Sequence, residues 1–130
     1  MTRQLLFIFL GGFLLNLLWE NLHAPLYVHY QGGAITEYIL LRAALFDALV
    51  ITIFVALSFL ISRQEWRQWF VLAAGILFAV VLELFALETG RWEYIAFMPL
   101  LPIINVGLSP ALQLGFTGWL AFVFVKKIRR

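Results

Sequence analysis

The feature that most limits this chain is a set of long apolar runs, each interrupted by a polar or acidic residue. Between Ala44 and Ile61, twelve of eighteen residues are Leu, Ile, Val or Phe, and Asp47 stands among them. Each of those twelve favours membrane insertion by roughly 0.3–0.6 kcal/mol, whereas one Asp near a helix centre costs roughly 2.5–3.5 kcal/mol. The apolar residues win, so the run is expected to cross a bilayer with its acid inside. Composition agrees. The 130 residues are 64% hydrophobic and 12% charged, against about one-half and one-quarter in a soluble domain.

Four runs have this character, and the expected fold is all-α: a single integral membrane domain, 1–130, with spans near 5–22, 35–61, 69–87 and 110–125. Arg3 followed by Leu5–Leu18 has the outline of a cleavable leader, but cleavage after Ala24 would place bulky Leu22 where a small residue is wanted. The first run is therefore read as a retained span. Ala24–Gly33 is a connector in which Pro25 ends a helix and Gly32-Gly33 signals a turn. Ser62–Gln68 is a short charged loop, and Thr89–Tyr94 a polar turn. Ile95–Leu108 is apolar but broken by Pro99, Pro102 and Gly107. Two prolines three apart do not suit a spanning helix, so it reads as a re-entrant or interfacial stretch. Ser109 is expected to cap the last helix with Pro110 at its first position. Pro110–Val125 measures about 24 Å, short of a ~30 Å core, which assigns the rest of the crossing to the prolyl stretch.

Four crossings put both termini and Ser62–Gln68 on one side. That side carries Arg3, Arg63, Arg67, Lys126, Lys127, Arg129 and Arg130, seven of the nine basic residues. The positive-inside rule makes it cytoplasmic. Trp66 and Trp69 would mark the inner interface and Trp92 the outer one. The net charge of +2 is a membrane-flanking anchor and implies no nucleic-acid partner. With no Cys, disulfides, thiol catalysis and thiolate metal sites are excluded.

Gly12, Asn16, Glu20 and His23 recur at spacings of four, four and three, and so share one helix face. Gly75-x3-Ala79-x3-Glu83 mirrors Gly12-x3-Asn16-x3-Glu20, each Glu eight residues from a Gly on the same face, and small residues let helices approach closely. Counted from the cytoplasmic ends of their spans, Glu20, Asp47 and Glu83 each lie 15 residues in, about 22 Å up. Gln113, 13 residues from Lys126, falls near that level. Six of the seven acids lie in the outer half.

Ionisable groups inside a membrane are costly and mark function or a hydrogen-bonded network. Glu20, Asp47 and Glu83 are the catalytic candidates: Glu20 as the acid, Asp47 or Glu83 as its counter-carboxylate. Asn16, His23 and Gln113 would orient them, and Arg42, Arg91 and Trp92 would contact substrate. Glu20-x-x-His23 is half of a di-metal signature, but neither Asp47 nor Glu83 has a His three residues on, so no metal and no cofactor are expected. Phosphate loops, serine elbows and HExxH motifs are lacking. Three readings stay open. The leading one is an acid–base enzyme on a lipid or isoprenoid-like substrate; the alternatives are a small proton- or cation-coupled transporter and a structural or assembly protein. Membrane lipids are the expected partners, with a homodimer possible for the transporter.

Glu88-Thr-Gly-Arg-Trp-Glu-Tyr94, with Met98-Pro99-Leu-Leu-Pro102 and Gly107-Leu-Ser-Pro110-x-Leu-Gln113-Leu, resembles the tail of small, uncharacterised bacterial polytopic membrane proteins. Trp19-Glu20-Asn-Leu-His23 and Arg42 to Asp47 resemble their front part. The resemblance covers most of the chain and implies a membrane fold without an agreed activity. A fainter likeness, carried by the Gly-x-Trp-x-Tyr turn before prolines, is to the small polytopic carotenoid-cyclase subunits. Their Pro-x-Glu-Glu motif does not occur here.

Overall fold

The computed structural model describes residues 1–128; the expected anchor residues Arg129 and Arg130 lie outside them. The described chain is mostly helical. Its elements are α1 (Thr2–His23), a short 3-10 turn (Ala24–Leu26), β1 (Tyr27–Tyr30), α2 (Glu37–Ser58), α3 (Gln64–Glu88), β2 (Trp92–Tyr94) and α4 (Leu108–Ile128). All four α-helices are long and apolar enough to cross a membrane.

Local chemistry sets their limits. Pro25 lies in the 3-10 turn that follows α1. Beyond β1 the chain turns through Gln31 and Gly32 at positive φ. The Thr36 side chain accepts from the Ile39 N–H and caps α2, with Glu37 in the first turn, where a negative charge suits the helix dipole. After α3 the chain reverses at Gly90, φ 72°.

Helix α4 is the most enclosed: 56% of its apolar window is buried, against 17% for α1. The difference follows from composition. Ala111, Gly115, Gly118 and Ala121 let neighbours close on α4, while Leu6, Leu10, Leu14 and Leu18 of α1 face outward. A Cβ placed on Gly75 of α3 would lie 2.5 Å from the Gly115 backbone, so these two helices cross backbone to backbone. Gly12 instead faces Ala48 and Ile51 of α2 at ordinary contact distance. Below that level Ile8, Ile51, Val55, Val71, Phe122 and Val125 form an apolar core.

Three features depart from the sequence expectation. The two connectors pair as an antiparallel ribbon, β1 with β2, in the register Tyr27–Tyr94, His29–Glu93 and Tyr30–Trp92. Thr89–Tyr94 is thus partly strand, and both connectors lie at one end of the bundle. Second, α4 has 21 residues, about 31 Å, so its length matches a ~30 Å hydrocarbon core without help from the prolyl stretch. That stretch is a loop closed on itself, with the Leu101 N–H donating to Val106, Asn105 to Leu101, and Leu108 to Pro99. Met98 and Val106 are buried while Phe97 and Ile103 are exposed. Third, Ser109 lies within the first turn of α4, and its hydroxyl turns to α1, as described next.

Candidate functional site

A polar layer crosses the bundle beneath the ribbon. It begins with Asn16, fully buried on α1. The Asn16 amide donates to the Gly12 carbonyl at 2.7 Å and to Thr117 Oγ1 at 3.0 Å. Thr117 passes its own proton to the Gln113 carbonyl, one turn back, at 2.7 Å. This closes α1 onto α4 and leaves the Gln113 side chain pointing at the acids.

Gln113 Nε2 has three acceptors: Asn16 Oδ1 at 3.1 Å, Glu20 Oε1 at 3.0 Å and Asp47 Oδ2 at 3.1 Å. An amide NH2 has only two protons, so the three oxygens compete for them. One nitrogen thus holds carboxyl groups from α1 and α2 together, and Glu20 and Asp47 also meet each other through a side-chain hydrogen bond.

The second oxygen of Glu20 lies 3.0 Å from His23 Nε2. On the far side of the ring, His23 Nδ1 is 3.0 Å from Ser109 Oγ, which accepts from Trp19 Nε1 at 2.9 Å. Because Trp19 only donates, the Ser109 hydroxyl is free to give its proton to Nδ1. That arrangement leaves Nε2 to donate to Glu20. The i, i+3 spacing of Glu20 and His23 produces this pair, and α4 fixes the ring. Both ring nitrogens are occupied. His29 lies away on β1, where its Nδ1 accepts from the Gly32 N–H and its Nε2 is 3.8 Å from Glu93.

Glu83 has separate partners. Its carboxylate accepts from Tyr94 Oη at 2.5 Å, Trp92 Nε1 at 3.0 Å and Tyr27 Oη at 3.3 Å. These donors come from both strands, so Glu83 ties the ribbon to α3. Tyr94 Oη in turn accepts from the Gly107 N–H at 3.1 Å, bringing in the prolyl loop. Burial pushes both phenols above their ordinary value, and the Glu83 carboxylate beside them pushes the same way. They stay neutral donors at physiological pH. The edge of Tyr27 meets His23 at 5.4 Å between ring centroids, which joins the two polar clusters.

A cavity of about 320 Å³ lies between them, bordered by Glu20, His23, Tyr27, Asp47, Glu83 and Gln113. Its remaining wall is largely apolar, with Ile39, Ala43 and Phe46 from α2 and Ala79 and Leu82 from α3. Arg42, Arg91 and Trp92 also border it. Arg42 reaches over the Tyr38 ring and Arg91 over Phe85, 5.8 and 5.3 Å from guanidinium carbon to centroid.

The structure therefore places Asn16, Glu20, His23, Asp47 and Gln113 in one hydrogen-bonded set. Glu83 and Trp92 fall in a second set on the same cavity, and Arg42 and Arg91 lie beside it with no ion pair to an acid among the described residues. Sequence reasoning missed Thr117, Ser109, Tyr27 and Tyr94. The available signals were Thr117 one turn past Gln113, and Trp92-Glu-Tyr94, whose aromatic spacing of two is the period of a strand.

The fold defines a class: a four-helix polytopic chain whose helices can span a membrane, capped at one end by a two-stranded ribbon. No protein family, curated protein or solved structure matches it.

Proposed function

We propose that this is an integral membrane enzyme that performs acid–base chemistry on a lipid or isoprenoid-like substrate in the outer half of a bacterial inner membrane. Both termini and the α2–α3 loop face the cytoplasm, by the weight of basic residues there. The prolyl loop rests at the outer interface with Phe97 and Ile103 toward lipid, an interfacial reading favoured by its internally bonded backbone.

One observation carries the reading. Glu20 and Asp47 are held by a single amide nitrogen in the wall of a largely apolar cavity. Two carboxyl groups in contact cannot both ionise cheaply and share a proton. That proton is the one given to substrate. Glu20 is the acid, Asp47 its counter-carboxylate, and Gln113 N–H stabilises the pair when the proton has left. His23, oriented by Ser109, supports Glu20 through the contact at its Nε2. Glu83 holds the aromatic lid.

Transport is less well supported. Between the polar layer and the termini the enclosed side chains form the apolar core around Val55, Val71 and Phe122. The hydroxyls of Thr52 and Ser58 donate to carbonyls of their own helix, which leaves them engaged away from the acids.

The test compares lipid extracts of a host overproducing the natural protein, Glu20→Gln or Asp47→Asn. The natural protein should alter the lipid profile, and both variants should leave it at the vector baseline while melting in detergent within a few degrees of the natural protein. A Glu20→Gln protein that changes lipids as the natural one does would refute the assignment. Severe loss of stability in both variants, with no lipid change from any form, would mark the layer as structural.

A further inference from the structure

The proposed reaction leaves two arginines at the cavity unused. Arg42 stands on α2 five residues before Asp47, so it lies about 7.5 Å nearer the outer end of the same helix. Arg91 follows the end of α3, directly before Trp92, whose indole is bound to Glu83. Both border the cavity. Among the described residues neither guanidinium has an acid within salt-bridge reach; each lies over an aromatic ring instead. Three acids at that end of the bundle are engaged elsewhere. Glu37 accepts from Asn21, Glu93 faces His29, and Glu83 has its three neutral donors. Two positive charges without an acid partner thus border a cavity whose deeper wall carries Phe46, Ala79 and Leu82 beside the acids.

We infer that Arg42 and Arg91 are the head-group site for the substrate, and that the substrate is an anionic amphiphile: a phosphate on an alkyl or isoprenoid tail. This deepens the acid–base reading and rests on it for the word substrate, but the binding claim stands by itself. The guanidinium fork suits a phosphate, which offers several oxygens to planar pairs of N–H groups. The volume points the same way. At about 320 Å³ the cavity is at the small end of ligand sites, ~300–1,000 Å³. It takes the first part of a tail, between Phe46, Ala79 and Leu82, and leaves the rest in lipid. With the head group at the arginines, the carbons next to it lie beside Glu20 and Asp47. The buried acids oppose a phosphate placed deeper, which fixes the ligand's orientation.

The test uses the full-length protein in neutral maltoside micelles, with binding of dodecyl phosphate read by native mass spectrometry and by thermal shift. Dodecyl phosphate should bind at least tenfold more tightly than dodecanol or dodecyltrimethylammonium. Arg42→Gln and Arg91→Gln should each weaken it by on the order of tenfold, the loss of one charge-assisted contact. Arg3→Gln, at the opposite end, should change nothing. Inorganic phosphate should fail to compete; equal competition would mean a free-phosphate site and overturn the lipid assignment. Equal binding of the neutral alcohol, preference for the cation, or indifference to both arginine variants would also overturn it. Glu20→Gln should bind dodecyl phosphate as the natural protein does. Its loss of activity with binding intact would leave both readings standing; lipid turnover without selective phosphate binding would end only this one.

Discussion

Replacing Gln113 by Leu tests the polar layer most directly. Leu is close to Gln in size and keeps the helix, so the change removes one carbonyl and two N–H protons. Those protons serve Asn16, Glu20 and Asp47 at 3.0–3.1 Å. Glu20 retains His23 on its second oxygen. Asn16 Oδ1 retains only Thr117 at 3.3 Å, whose proton is better placed on the Gln113 backbone carbonyl at 2.7 Å. Asp47 retains only Glu20. Two bonds are lost. In a soluble core, bonds to charged groups contribute roughly 1.5–3 kcal/mol each. Between membrane helices the figure is nearer 0.6 and at most about 1.7 kcal/mol, because the unfolded reference also finds partners. The expected cost is therefore about 1–3 kcal/mol, read as the shift in SDS-induced unfolding of the protein in mixed micelles followed by circular dichroism. Adding Asp47→Leu should cost less than the sum of the single changes by about 1 kcal/mol or more, since the double variant leaves no orphaned carboxylate. Gln113→Leu unfolding at the natural midpoint, or strict additivity with Asp47→Leu, would show that this amide does not hold the acids together.

Two further outcomes follow from packing and from the aromatic lid. Gly75→Ala should destabilise by about 1–3 kcal/mol, because its Cβ would meet Gly115 backbone at 2.5 Å, whereas Gly12→Ala, 3.7 Å from Ala48, should be neutral or stabilising; both are read by the same unfolding assay. The phenols of Tyr27 and Tyr94 are raised in the folded protein, so their contribution is complete below the ordinary phenol value near 10 and is lost as pH climbs above it. Absorbance at 295 nm across an alkaline titration should therefore show part of the phenolate signal arriving with unfolding, and Tyr27→Phe and Tyr94→Phe should each remove amplitude from that part.

The spans were legible because hydropathy is a property of each segment alone. The face of Asn16, Glu20 and His23 was legible because helical spacing fixes direction before any partner is known. Partners across helices were not. Ser109 after a Gly-Leu pair has the look of a cap, and only the approach of Trp19 and His23 shows that its hydroxyl is taken. The ribbon was hidden for another reason. Tyr27–Tyr30 and Trp92–Tyr94 are too short to read as strands unaided, and they pair across more than sixty residues of intervening chain. Glu83 shared a level with Glu20 and Asp47 in the residue count, yet its three donors come from that ribbon, so its separation from the other two acids could not be seen. Gly115 and Gly118 were passed over because spacing does not say which small residue meets another.

The β1–β2 pairing also bears on when the two polar clusters can be complete. Its two strands belong to different halves of the chain, one between α1 and α2 and one between α3 and α4. Glu20, His23 and Asp47 are made in the first half; Glu83, Ser109 and Gln113 in the second. A half-synthesised chain leaving the ribosome therefore has acids without their donors. Ser109 and Gln113 arrive only with the last helix, so the polar layer and the four-helix bundle are completed together.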